Sequence, residues 1–326
     1  MKGEGRILQS TFHHKDFKDK AALVRQKEDQ RLKISLAFPT LNEEATIGKE
    51  VLVLKTELMD RFPLLDEIVV IDSGSTDRTR EAAAANGARV FSSADVLKKY
   101  GSYRGKGENL WKSLYVLAGD IIVWIDADIA NIAPKFVYGL VGPLLRDRRI
   151  SYVKAFYERP IRAAGELVAG GGRVTEILVR PLFSLFYPEL ACLVQPLSGE
   201  YAGRRALLEQ LPFSVGYGVE LGHLIDIYHQ AGIEALAQVN MDRRVHRNQS
   251  LQALGKMAFG ILQTLLRRLE KYGEARMPTD IGLQHYMVTC LEEQPRVEKA
   301  EILSVERPPM MEVQEYKDKF HPAQKP

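Results

Sequence analysis

The run DIIVWIDADIAN, Asp120 to Asn131, decides how the chain is read. Its first part is an almost unbroken apolar strand, and it ends on two carboxylates two residues apart, Asp126 and Asp128, before returning to Ile129. Such a strand belongs in a parallel sheet covered by helices on both faces. An acidic pair at its end is either a solvated turn or the neighbour of a cation. Residues i and i+2 of a strand project to one side, so both carboxylates can face a single divalent ion. Hard oxygen ligands favour Mg²⁺ or Mn²⁺ over zinc.

The segments on either side agree with a parallel sheet. Lys33 to Phe38 reads as a buried strand ended by Pro39, and Asn42, Glu43 and Glu44 read as the cap and acidic first turn of a helix running to about Arg61. DEIVVID is the next strand, SGSTD a turn with a helix cap, RTREAAAANG a helix closed by Gly87, and ARVF a short strand. Alternating strands and helices give right-handed crossovers, an α/β fold of the nucleotide-binding type. Ligands in such sheets sit at the carboxyl ends of the strands, here FPTLNEE, IDSGSTD and DADIA.

Composition narrows the class. The 326 residues carry 45 Lys and Arg against 42 Asp and Glu, a net charge of +3, so nucleic acid is not an expected partner. Cys192 and Cys290 lie far apart with no C-x-x-C partner, which fits a reducing, cytoplasmic compartment. No signal-like apolar stretch opens the chain and no run is long enough to span a membrane. The expected organisation is a charged N-terminal arm (1–30) outside the core, a nucleotide-binding α/β part (31–150), a looser part that should supply the acceptor side (151–273), and a proline-bearing tail (274–326) that wraps a surface or a partner subunit before becoming disordered.

A metal held by one or two protein carboxylates completes its shell with substrate phosphates, so a nucleoside diphosphate is its natural client. Asp72 and Ser73 are then placed to touch a base or ribose, although turn chemistry competes for Asp72 and caps compete for Asp77. RGKGE lacks Walker spacing, yet Lys106 between two glycines is the best candidate for a cation reaching the diphosphate. GGGRVTE lets backbone approach a ligand, with a helix from about Arg173 aiming free N–H groups at an anion; a flexible linker reads the same. DRRVHRN places Arg243, Arg244, His246, Arg247 and Asn248 after a strand, and GYGVE offers Tyr217 and Glu220.

PTLNEE, DSGSTD, GKGENLW, the D-x-D strand end, GGGRVTE, QPLSGEYA, GYGVE and VHRN, in that order, resemble the glucosyl-3-phosphoglycerate synthases, retaining glycosyltransferases of the GT-A fold. The resemblance spans about Lys33 to Arg268. It implies metal-dependent transfer of glucose from a nucleoside diphosphate glucose to the 2-hydroxyl of 3-phosphoglycerate, with retention, by a homodimer serving compatible-solute or polysaccharide-precursor synthesis. It also implies roles. Pro39, Thr40, Leu41, Glu43 and Ser73 match donor-nucleoside positions, and Asp128, with Asp126 and His246, matches the metal site. Gly172, Arg173, Val174, Thr175 and Asn248 match the acceptor cradle. Tyr217 and Glu220 match the sugar side, and Lys106, Asp128, Glu220 and Arg244 are the residues expected to act on the reaction itself. Two anionic substrates then need a local cluster of cations on a near-neutral chain.

Other readings remain at this stage. Transfer from GDP-mannose would differ by a hydroxyl contact or two. A sugar nucleotidyltransferase would carry a Gly-rich signature after the first strand, which FPTLNEE lacks. A non-catalytic sugar-nucleotide sensor is disfavoured by the intact acids.

Overall fold

A computed structural model describes residues 10–158, 160–163, 166–169, 172–245, 250–276, 282–291 and 294–322. Eight strands form one sheet: β1 (Thr11–His13), β2 (Ile34–Thr40), β3 (Glu67–Asp72), β4 (Arg89–Ser92), β5 (Ile121–Trp124), β6 (Tyr152–Glu158), β7 (Tyr201–Arg204) and β8 (Leu236–Arg243). Their order is β1-β8-β6-β7-β5-β2-β3-β4. All neighbours are parallel except β7, which runs antiparallel to both β5 and β6. The carboxyl ends of β2, β3, β5, β6 and β8 therefore share one edge, and β7 brings its amino end there.

The flanking helices include α1 (Lys20–Asp29), α2 (Ile47–Lys55), α3 (Thr79–Ala85), α4 (Lys106–Val116), α5 (Lys135–Arg146), α6 (Arg180–Phe186), α7 (Val219–Ala231), α8 (Leu251–Lys271) and α9 (Gln314–Phe320). Two apolar layers sandwich the sheet. One joins Val51, Leu54, Phe136 and Leu140 to the inward residues of β2, β3 and β8. The other joins Trp111, Leu114, Leu224, Leu265 and Tyr316 to Trp124 and Tyr201. Residues of β2 and β3 are buried almost throughout, which is why they read as continuous apolar runs.

Several local expectations change. Residues 10–30 are not an arm outside the core: β1 pairs with β8 at the sheet edge, and Phe17, Leu23 and Val24 are buried. Pro39 does not end β2; it lies inside it, paired in register with Ile71. The β2–β5 pairing stops at Ala37 opposite Trp124, so on that side the missing proline N–H falls past the end of the ladder. Asn42 is not a helix cap but adopts φ 58°, and its side-chain oxygen accepts from Thr76 N–H while its own N–H donates to Ser75. The loops after β2 and β3 are thereby stapled together.

The two halves of the chain contribute to one sheet, and the C-terminal segment wraps the chain itself. Glu306 and Arg307 pair antiparallel with Phe213 and Ser214, and Met310, Val313 and Tyr316 are fully buried. Among the described residues no helix is long and apolar enough to cross a membrane.

Candidate active site

At the shared strand edge lies a cleft of about 450 Å³. Its walls include Pro39, Thr40, Leu41 and Glu43 from the loop after β2, Ser73 after β3, Lys106 and Asn109 from the first turn of α4, Asp126 and Asp128 after β5, and Tyr217. Nine residues singled out in the sequence thus meet in one concavity.

The loops around it are set by close backbone approach. A Cβ on Gly107 would collide with the Ser214 carbonyl, so only glycine lets α4 begin against the strand that precedes Tyr217. Gly199 is equally constrained: a side chain there would overlap the Asp126 carboxylate. The SGE turn is therefore a seat for the acidic pair.

The electrostatics are an alternating network. Lys106 Nζ lies 2.5 Å from Asp126 Oδ1 and 2.8 Å from Glu220 Oε1. Burial works against its charge, but the Asp126 and Glu220 carboxylates prevail and hold its pKa well above the ordinary lysine value. Arg244, from the turn after β8, lies 2.5 Å from Asp128 Oδ1, 3.4 Å from Asp126 Oδ2 and 3.3 Å from Glu200 Oε1. Its Nη1 also donates to Tyr157 Oη at 3.2 Å, and Tyr157 in turn donates to Glu200. Burial opposes the charge of Arg244 too, and the surrounding acids outweigh it. Its buried Nε donor has no hydrogen-bond partner among the described residues.

Two buried groups lie just outside the lining. Burial lowers the Lys154 ammonium to about 7; its Nζ donates to Ser198 O at 2.5 Å and sits 4.1 Å from the centre of the Tyr201 ring. Glu50 of α2 accepts from Ile129 N–H at 2.8 Å, directly behind the acidic pair. Burial raises its carboxyl to about 9, so it is uncharged at neutral pH and adds no further negative charge there.

Some expected residues are placed elsewhere. Asp72 is buried and does not line the cleft; its carboxylate accepts from Gly74 N–H at 3.0 Å, Ser75 N–H at 2.9 Å and the Thr40 hydroxyl at 3.2 Å, and its work is the turn. Asp77 likewise accepts from Thr79 N–H at 3.1 Å at the start of α3. Gly172 has φ 83° and Arg173 begins the helical run into α6, with Arg173 exposed, Val174 half-buried and Thr175 buried; none of the four lines the cleft itself. His246 and Asn248 lie outside the described residues.

The sequence reading missed Arg104, Asn109, Glu200 and Tyr157. Asn109 follows Lys106 by three residues, one helical turn, and that spacing alone could have flagged it. Its Oδ1 accepts from the Ser73 hydroxyl at 2.9 Å, fixing a cleft side chain.

The donor set suits a hard divalent cation. Asp126 and Asp128 present carboxylate oxygens from one strand end, and in their place of contact stand an ammonium and a guanidinium, positive groups drawn to the same oxygens.

Comparison with known proteins gives consistent neighbours. Residues 35–168 match the model of glycosyl transferase family 2. The glucosyl-3-phosphoglycerate synthase of Petrotoga mobilis is 58% identical over 320 residues, covering 98% of each chain. That of Mycobacterium tuberculosis is 50% identical over 239 residues, covering 72% of this chain and 73% of its own. Among solved structures, mannosyl-3-phosphoglycerate synthase from Rubrobacter xylanophilus superposes with a TM-score of 0.88 at 35% identity, covering 95% of this chain and 99% of its own. The M. tuberculosis glucosyl-3-phosphoglycerate synthase, solved in complex with Mn²⁺, UDP and glucosyl-3-phosphoglycerate, superposes with a TM-score of 0.81 at 42% identity, covering 94% and 99%. The same protein has been solved with phosphoglyceric acid, with UDP-glucose and with Mg²⁺. These likenesses agree with a GT-A architecture.

Proposed function

Because the chain belongs to the glucosyl-3-phosphoglycerate synthases, we infer that its cleft transfers glucose from UDP-glucose to the 2-hydroxyl of 3-phosphoglycerate in a divalent-metal-dependent reaction. The chain is a hexosyltransferase. The single observation that carries the site reading is the network in which Lys106 and Arg244 hold the two acids of the D-x-D turn at the open end of the sheet.

Asp126 and Asp128, with His246, would hold Mg²⁺ or Mn²⁺, which would supply charge stabilisation to the departing diphosphate. The chain's own residues do the rest. Pro39, Thr40, Leu41, Glu43 and Ser73 line the side of the cleft assigned to the nucleoside. Lys106, and Arg244, whose buried Nε has no partner among the described residues, are the cations for the diphosphate, and each is largely buried, which strengthens its effect on developing charge. Glu220 and Tyr217 lie on the sugar side. Gly172, Arg173, Val174 and Thr175, which lie outside the cleft lining, are assigned to the acceptor together with Asn248. Retention is part of the proposal, with no enzymic nucleophile assigned.

Release of nucleoside diphosphate with Mg²⁺ tests the reading, using UDP-, GDP- and ADP-glucose and GDP-mannose, each with and without 3-phosphoglycerate. Release from UDP-glucose that depends on 3-phosphoglycerate is the expected result. The likeness to a protein described as a mannosyl-3-phosphoglycerate synthase favours GDP-mannose as the second donor to try. Acceptor-dependent release with GDP-mannose alone would replace the glucosyl reading.

We also propose a homodimer in a reducing, cytoplasmic compartment. Ile177 and Leu185, on the helical run through α6, are 77% and 74% exposed, which supports a second copy covering them. Light scattering that returns a monomer mass at working concentration sinks the dimer.

A further inference from the structure

Beyond Arg244 the sheet edge carries a second polar cluster, which the cleft does not use. Ring nitrogens of His13 and His14 and a carboxylate oxygen of Asp242 lie within 4.8 Å of one another, a set of metal-ligating types. The hydrogen bonds argue against a metal. His13 Nδ1 accepts from Lys15 N–H at 3.2 Å, which leaves the ring proton on Nε2, the atom that faces Asp242 Oδ1 at 3.1 Å. A ligating nitrogen has to be bare, with its proton on the other nitrogen. Lys135 Nζ lies 2.9 Å from Asp242 Oδ2, where it would repel a cation.

The cluster is instead a three-donor anchor for one carboxylate. His14 Nε2 sits 2.6 Å from Asp242 Oδ2, and the other nitrogen of its ring is 3.2 Å from Tyr138 Oη. His13 and Lys135 complete the set. The groups come from two elements that pack on each other: the histidines from the end of β1 and the turn after it, Lys135 and Tyr138 from α5.

What the anchor holds is unusual backbone. Asp242 has φ 60°, in the left-handed region that a residue with a side chain enters only when its surroundings require it. It lies where the pairing of β8 with β6 is irregular, between Asn240 and Arg243. Asn240 Oδ1 accepts from its N–H at 2.8 Å. Immediately afterwards Arg244 N–H donates to Glu158 O at 3.1 Å and Val245 N–H to Asn131 Oδ1 at 2.9 Å. Within two residues the chain changes from strand to the turn that delivers the Arg244 guanidinium to the acidic pair.

We propose that His13, His14 and Lys135 are positioning residues for the transfer reaction: by anchoring Asp242 in its left-handed conformation they fix the turn that aims Arg244 at Asp126 and Asp128. The segment that forms β1 is then part of the active machinery at one remove. The proposal rests on the glycosyltransferase reading above.

The test compares His14→Ala, His14→Gln, Lys135→Met and Asp242→Asn with the full-length wild type, below the melting temperature of each. Glutamine offers an N–H donor near the position of His14 Nε2, methionine keeps the stem of Lys135 without its charge, and asparagine keeps the left-handed tendency without the carboxylate. His14→Ala, Lys135→Met and Asp242→Asn should each lower kcat about tenfold, with His14→Gln recovering to within about threefold, as expected when a reacting constellation is displaced by a fraction of an ångström. Amide hydrogen exchange over residues 241–245 should accelerate in the three impaired variants and not in His14→Gln or in β5. Wild-type kcat with unchanged exchange in those three variants overturns the proposal. So does a fall in kcat without faster exchange, or equal impairment of His14→Ala and His14→Gln, which would mark a packing role. Because exchange does not depend on turnover, a wild type inactive on every donor would count against the reaction assigned, and the exchange data would still decide the anchor.

Discussion

Arg244 Nη2 lies 2.5 Å from Asp128 Oδ1, although 116 positions separate the two residues in the chain. The contact exists because β5 and β8 point their carboxyl ends to the same edge, with β7 reversed between β5 and β6. Arg244 is almost fully buried there, so its charge is balanced by protein acids rather than by water.

Replacing Arg244 by alanine should reduce kcat by about a hundredfold to a thousandfold, the usual effect of losing one preorganised charge-stabilising donor. It also takes the guanidinium away from Asp128 and Glu200, while Asp126 keeps Lys106, and so costs stability, about 3 kcal/mol, the low end for a broken buried pair. Lysine at this position keeps a charge but cannot reach Asp128, Glu200 and Tyr157 together. Steady-state kinetics and denaturant unfolding of both variants check this; full activity in Arg244→Ala would remove Arg244 from the reaction.

For Asp128→Ala the expected result is loss of turnover by about a thousandfold or more with the fold intact, since a bound metal contributes several kcal/mol to the transition state. Turnover with graded Mn²⁺ and circular dichroism decide it. A variant that still turns over near the wild-type rate would move the metal site.

Arg173→Ala should raise the KM for 3-phosphoglycerate far more than that for UDP-glucose, because Arg173 stands outside the donor cleft. Equal effects on the two substrates would take it out of the acceptor site.

Glu50 gives a prediction about pH. Its folded-state pKa is raised, from 4.5 to about 9 by burial, so the folded protein holds its proton more tightly than the unfolded chain. The stabilisation is complete below the unfolded value and is lost as pH rises toward the folded one. Glu50→Gln, which cannot ionise, should therefore gain stability relative to wild type between about pH 5 and pH 9. Thermal melts of the pair across that range test it, and a pH-independent difference would mean that Glu50 is charged in place.

Arg307→Ala should destabilise the fold by about 3 kcal/mol, the low end of the cost of breaking a buried ion pair, because Lys112 still stands 3.2 Å from Glu108. Arg307 donates to both oxygens of Glu108, each at 2.7 Å. Denaturant titration is the measurement, and a change within error would make the brace superfluous.

Much of this was legible in the chain itself. The strand ends at Thr40, Ser73 and Asp126 could be read because each follows a buried apolar run whose polarity changes abruptly. The reversal of β7 could not, since YAGR is too short to carry a direction and its antiparallel pairing depends on two partners distant in sequence. β1 escaped for the same reason: three residues are too few to show a periodicity, and tertiary pairing with β8 makes them a strand. Asp72 looked like a ligand residue because a carboxylate at a strand end can serve either a ligand or the turn beneath it, and here the N–H groups of Gly74 and Ser75 claim it.

The brace from Arg307 to Glu108 also bears on which parts of the chain the site needs. Glu108 sits one residue beyond Gly107 in the helix that opens with Lys106, and Trp111 in that helix donates to the Pro308 carbonyl at 2.8 Å. The lining residues and their footing are thus separate segments of the chain, and a product cut off before Arg307 would carry the catalytic residues without the brace beneath them.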